Sequence, residues 1–190
     1  HRHYRRQRQM CIRDSPMTVP EVVGVNLSNN LNEGITSTDL VLHITKLLRA
    51  NKVVGSFIEF FGDGVENLTV GDRATISNMA PEYGATNVLF PVDNSTIEYL
   101  KMTGRTDEEI SIVEDYSKKQ KLWRNPGDTP KYNRVLNLDL SSIVPCVSGP
   151  KNPEDKINLD QFSNLANEHS QLLYKKDLRE NEFCLLYTSP

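Results

Sequence analysis

Near the start of the chain, two short apolar runs bracket one amphipathic stretch, and that order restricts the fold more than any other feature. Glu21–Leu27 (EVVGVNL) reads as a strand, and so does Val53–Phe61 (VVGSFIEFF). Between them Leu40, Ile44, Leu47 and Leu48 recur at i, i+4, i+7 and i+8, which is one stripe of a helix. Thr36–Asp39 (TSTD) precedes that stripe and offers side-chain oxygens to the unpaired donors of a first helical turn. The helix is expected to run to about Asn51. The second run is almost continuously apolar, which predicts a strand buried on both faces. Strand, helix, strand in this order implies parallel strands in one sheet, because a chain returning through a helix re-enters in the same direction.

The pattern continues. Leu68–Glu82 (LTVGDRATISNMAPE) reads as a turn and then a helix, with Pro81 marking an irregular end and Gly84 a stop. Thr86–Val92 is a third strand. Thr96–Thr103 is a short helix ending at Gly104. Asp107–Lys121 is a longer helix, acidic in its first turn and basic in its last, which suits the helix dipole. Trp123–Tyr132 (WRNPGDTPKY) is a Pro/Gly-rich connector and the best internal boundary. Arg134–Leu140 alternates as a strand does, Ser148–Asp155 is a loop with two prolines, and the pattern after Asn158 is weakly helical. The expected fold is α/β, a three-layer α/β/α arrangement with a mainly parallel sheet. Residues 17–125 form one α/β domain in this reading, and 126–183 begin the next.

Charge and cysteine depend on how the ends are treated. Residues 1–16 hold five Arg and no apolar periodicity, and residues 184–190 (CLLYTSP) carry no cap or charge; both read as non-native or disordered ends. Taking five from the 22 Lys and Arg, and one from the 25 Asp and Glu, leaves a net charge of −7. An acidic chain is a poor non-specific nucleic-acid binder. Cys11 and Cys184 lie in those ends, so Cys146 is the one secure thiol, too few for a disulfide framework and consistent with a reducing, cytoplasmic setting. No apolar run approaches the eighteen or so residues of a membrane span.

The chemistry concentrates in DRATISNMAPEYGATN, residues 72–87. Asn78 and Glu82 are four apart, so on one helix they share a face. A carboxylate accepts hydrogen bonds and a carboxamide both donates and accepts, which together can hold a water or a substrate hydroxyl. Gly84 and Ala85 directly afterwards let a ligand or another backbone approach. On spacing alone such a pair is more often a solvated helix face.

Residues 55–93 (GSFIEFFGDGVENLTVGDRATISNMAPEYGATNVLFPVD) resemble the aconitase family. TDLVLHITKLLR (38–49), YLKMTGR (99–105), LWRNPGDTPKY (122–132) and VLNLDLSSIVPCVSGPKNPED (135–155) continue the resemblance in order, over about residues 19–158. The WRNPGD connector is similar to the bacterial branch, close to animal cytosolic aconitase and the iron-regulatory proteins. The resemblance implies an interior piece of a hydro-lyase that isomerises citrate and isocitrate through cis-aconitate, with a [4Fe-4S] cluster as Lewis acid. It places Asn78 and Glu82 on the family's NMxxE motif, whose side chains hydrogen-bond the water or hydroxyl at the cluster's open iron. The family's cluster cysteines, catalytic serine, substrate-binding arginines and histidine–acid pairs lie on other segments. The piece alone is therefore expected to be inactive and to ligate no metal, in a protein that is monomeric and has no membrane partner.

Other readings remain. A 2-methylcitrate or 2-methylisocitrate dehydratase has a similar segment. An RNA-binding iron-regulatory protein would use the positions of Arg49, Ser148 and Lys156, though the acidic balance gives RNA no support. Cys146 is read as a small, partly buried residue, and His43 as a surface or packing residue; His169 falls in the unmatched tail. Glu59 and Asp63 flank a strand and a turn. Asp72 and Arg73 are expected to cap or pair at a helix start, and the GDG at 62–64 to form a tight turn rather than a phosphate cradle.

Overall fold

A computed structural model of the chain describes residues 18–125, 127, 130–149 and 152–164. Both proposed non-native ends, with Cys11, His169 and Cys184, lie outside them. Four parallel strands form one sheet: β1 (Val22–Ser28), β2 (Phe57–Phe61), β3 (Asn87–Leu89) and β4 (Arg134–Asp139), in the order β3-β2-β1-β4. Val25 of β1 stands opposite Phe60 on one side and Leu136 on the other. Among the described residues five α-helices connect or flank them: α1 (Ser37–Ala50), α2 (Val70–Asn78), α3 (Ala80–Tyr83), α4 (Asn94–Met102) and α5 (Asp107–Lys119). An antiparallel pair, β5 (Cys146–Ser148) and β6 (Lys156–Asn158), follows.

The core lies on one face of the sheet. Val23, Val25 and Leu27 of β1, Ile58 and Phe60 of β2 and Leu138 of β4 bury against Leu40, Val41, Ile44 and Leu48 of α1 and Ile76 of α2. Each such fully buried aliphatic or aromatic side chain contributes roughly 1.5–3 kcal/mol. The helix α1 starts where the sequence placed it: the Thr36 hydroxyl accepts from the Asp39 N–H, and the Asp39 carboxylate accepts from the Thr36 N–H. This reciprocal cap satisfies two donors at once.

The strand β2 departs from its expectation. It begins at Phe57 rather than Val53, because Lys52 and Gly55 both have positive φ and Ser56 N–H bonds back to the Val53 carbonyl in a turn. Nor is it buried on both faces. Ile58 and Phe60 are buried, while Phe57, Glu59 and Phe61 are half-exposed on the second face. There the covering groups include Tyr132, whose ring rests on Gly24 and tilts against Phe61 at 5.0 Å. A side chain at Gly24 would collide with that ring, so the glycine is what admits it.

The connector Trp123–Tyr132 carries the chain to β4, which pairs with β1 in the same sheet. The expected boundary at residue 126 thus falls between two parts that share one sheet. The GDG at 62–64 opens a 3-10 turn, Asp63–Asn67, rather than a simple reversal. Past β6, Leu159–Gln161 forms another 3-10 turn.

Arg73 joins the parts around α2. Its side chain is almost wholly buried and forms a two-pronged pair with Asp93, Nη1 to Oδ1 at 2.9 Å and Nη2 to Oδ2 at 2.7 Å. Nε also donates to the Leu68 carbonyl and Nη2 to the Val65 carbonyl. Asp93 in turn caps α4 by accepting from the Thr96 N–H. Burial alone would raise the Asp93 carboxyl, but the hydrogen bonds and charge of Arg73 outweigh it and hold the group below its ordinary 3.8. Stability from this shift is present above pH 3.8 and is lost as the pH falls through the lower folded value. Asp93→Ala leaves the guanidinium buried without its partner and is expected to cost about 3–5 kcal/mol in urea unfolding of the protein; a cost below about 1 kcal/mol would contradict the role given to the pair.

Candidate active-site segment

The residues singled out at 78 and 82 sit on either side of a break. Helix α2 opens with a second reciprocal cap, the Thr69 hydroxyl accepting from Asp72 N–H and the Asp72 carboxylate from Thr69 N–H. Asp72 also accepts from the Ser37 hydroxyl at the start of α1. The helix ends at Asn78. Met79 caps it, and α3 begins at Ala80. The expectation of one helix carrying both residues is corrected on this point. Pro81 has no N–H to give to the Ser77 carbonyl, and its ring crowds the turn before it. The backbone tightens instead: Met79 N–H bonds to the Ile76 carbonyl and Glu82 N–H to the Met79 carbonyl, each three residues back. The i, i+4 spacing therefore no longer fixes a shared face.

Three contacts set the joint. The Tyr83 hydroxyl, fully buried with its ring, donates to the Ile76 carbonyl at 3.0 Å. Gly84 ends α3 in the left-handed region at φ 81, a conformation that glycine adopts without strain. Gly55 N–H bonds to the Gly84 carbonyl and Thr86 N–H to the Ser56 carbonyl, tying the exit of α3 to the turn before β2. The joint thus lies toward the end of the sheet where the strands begin. Asn78 is exposed and Glu82 half-buried. Neither side chain bonds another described residue, so both remain available to a ligand or to another segment.

A cavity lies elsewhere. It encloses about 810 Å3 where β1 and β2 end, between Asn26, Phe61, Asp63, Trp123 and Arg124. Neither Asn78 nor Glu82 lines it. Arg124 in its wall is engaged by Asp63 and Glu66.

Arg49, Ser148 and Lys156 come together where α1 meets β5 and β6, and each has a partner there. Arg49 Nε lies 3.3 Å from Glu154 Oε1. The Ser148 hydroxyl donates to the carbonyls of Asn152 and Pro153. Lys156 Nζ approaches the His43 ring nitrogens at 2.9 and 3.0 Å. Cys146 N–H donates to Asp39 Oδ1 at 2.8 Å. Burial first, and then the charges of Lys156 and Lys46, lower the His43 pKa against a smaller opposing pull from Asp39. The imidazole is thereby kept neutral and able to accept from Lys156. Burial pushes the Cys146 thiol up to about 11, the reverse of what a thiolate ligand needs. Among the described residues no group of three or more His, Cys, Asp or Glu is placed to hold a metal. These residues do not fit an iron–sulfur cluster as ligands.

Sequence reasoning missed Tyr83. A tyrosine beside a glycine carries no signal of a buried hydroxyl bonded across a helix break. It foresaw that Asp72 and Arg73 were structural, but not that Arg73 reaches Asp93, twenty residues away.

A parallel four-strand sheet flanked by helices puts the chain in the α/β class. The chain belongs to the aconitase family. The model of that family (aconitate hydratase) matches residues 6–183. Aconitate hydratase A of Rickettsia typhi is 54% identical over 153 residues, covering 80% of this chain and 17% of that protein. The enzyme of the same name from Salmonella typhimurium is 50% identical over 143 residues, and that from Escherichia coli 49% over 143, each across 75% of this chain and 16% of theirs. The chain thus spans about a sixth of the length of the curated relatives it matches. No described helix is long and apolar enough to cross a membrane.

The His43–Lys156 contact has a pH signature. Because the folded state lowers the His43 pKa, the unfolded chain takes up the proton first as the pH falls below 6.5, and stability drops over that interval. Denaturant titrations between pH 7.5 and 5.5 are expected to show this loss, and His43→Asn to remove part of it. Equal slopes for the two proteins would contradict the contact.

Proposed function

We propose that this chain is part of an aconitate hydratase, a hydro-lyase that interconverts citrate and isocitrate through cis-aconitate. What carries the reading is the pair Asn78 and Glu82, exposed and half-buried and bonded to no described residue at a helix joint, within a chain 54% identical over 153 residues to a protein named aconitate hydratase A. All three relatives described bear that name, which favours citrate over 2-methylcitrate as substrate and gives no support to an RNA-binding role.

A cluster of the [4Fe-4S] type, expected in the whole protein, would supply Lewis-acid chemistry for loss of the substrate hydroxyl. Its ligands come from other segments in this reading. This chain's share is orientation. The Glu82 carboxylate accepts a hydrogen bond from the substrate hydroxyl or from the water it becomes. The Asn78 carboxamide donates to the same oxygen or accepts from it. Two groups on a rigid joint hold that oxygen in one place through the reaction, so that little reorganisation is needed at the moment of bond breaking. The free thiol of Cys146 fits a cytoplasmic, reducing setting.

Glu82→Gln and Asn78→Ala in the full-length protein are each expected to lower kcat by about 10–100-fold. Cluster absorbance is expected to stay at the unmodified level. Turnover within about twofold of the unmodified protein for both variants would overturn the reading.

A further inference from the structure

The break between α2 and α3 poses a mechanical problem. An intact helix fixes the angle between residues four apart; a broken one does not. Asn78 is the last residue of α2 and Glu82 lies in α3. A four-residue helix has too few backbone hydrogen bonds to hold its own direction. Some contact across the break has to set where Glu82 stands relative to Asn78.

We propose that Tyr83 is a positioning residue: its buried hydroxyl, bonded to the Ile76 carbonyl, clamps α3 onto α2 and so places Glu82 beside Asn78. Ile76 and Tyr83 belong to the two pieces, two residues before Asn78 and one residue after Glu82. The bond measures 3.0 Å, and both residues are fully buried. The Ile76 carbonyl accepts from the Met79 N–H and from the tyrosine hydroxyl. Burial raises the pKa of the hydroxyl, so it remains a donor throughout the working pH range. The ring packs in the same core as Ile76, Ile58 and Phe60, which makes the clamp rigid from the sheet side. The Gly84 turn and its bond to Gly55 hold the exit of α3, Met79 and Ala80 pack against the core, and the Tyr83 hydroxyl adds the side-chain bond that ties α3 to α2.

This rests on the role proposed above for Asn78 and Glu82, and the experiment separates the two. Tyr83→Phe keeps the ring and removes only the hydroxyl. In the full-length protein it is expected to lower kcat about tenfold with KM within about twofold, since a small misplacement of an orienting group acts on the transition state. Placed on top of Glu82→Gln, it is expected to cost less than about a further twofold, because the group it positions is already gone. Amide hydrogen exchange is expected to quicken over residues 79–85 and not in β1 or β2.

A Tyr83→Phe loss of equal size in both backgrounds would make the hydroxyl a general support and overturn the proposal. So would exchange over 79–85 unchanged from the unmodified protein. Tyr83→Phe turning over within about twofold of normal while Glu82→Gln is strongly impaired would sink the clamp alone. A silent Glu82→Gln would sink the functional reading, and the clamp's purpose with it.

Discussion

The buried pair of Arg73 and Asp93 is the contact on which the placement of the site segment depends. A guanidinium removed from water has to satisfy its donors within the protein. Arg73 does so with both oxygens of Asp93 and with the carbonyls of Leu68 and Val65. Those partners lie on three different pieces of chain: the 3-10 turn after β2, the entry to α2, and the start of α4. No single element could satisfy the group, so the pair forces them into one arrangement. Asp93 is at once the counter-ion of Arg73 and the cap of α4, and one carboxylate thereby couples the orientation of two helices.

From that anchor the geometry passes outward along α2. Its first turn is held by the Thr69–Asp72 cap and by Ser37, its middle by Ile76 in the core, and its end is released by Pro81. A released helix end in the core would be a defect. Here the freed backbone bonds three residues back, a tyrosine hydroxyl closes the joint, and the polar side chains at 78 and 82 are left outside it. The break leaves two polar groups next to a packed layer, Asn78 exposed and Glu82 half-buried. The His43–Lys156 contact works on the far side of α1 by a related logic, since two basic groups can lie 2.9 Å apart only if one of them gives up its charge.

Much of this was legible in the sequence where local pattern and tertiary packing agree. The α1 stripe and its Thr36–Asp39 cap read directly, because capping chemistry is local and its geometry needs no other segment. The first three parallel strands followed from the alternation of apolar runs and helices. The extent of β2 did not, because Val53 is buried like a strand residue while Gly55 bends the backbone beside it. The membership of β4 in the first sheet was hidden by a connector whose Pro and Gly content looks like a boundary; pairing across 111 positions leaves no local trace. At the site, residue types and spacing made Asn78 and Glu82 only a weak pair, the resemblance to the aconitase family singled them out, and Pro81 hinted at an irregular end. The helix break and its closure by Tyr83 depend on packing, and no pattern of residues four apart encodes them.

In the role proposed for them, Asn78 and Glu82 at one helix joint face chemistry that the remainder of an aconitase-family protein brings. An experimental structure of the full-length protein with its cofactor and bound isocitrate tests this most directly. The expected result has a Glu82 carboxylate oxygen and the Asn78 carboxamide both within about 3.2 Å of the substrate hydroxyl oxygen, with the Tyr83–Ile76 bond intact. Either side chain turned away from the substrate, or the joint straightened into one helix, would contradict it.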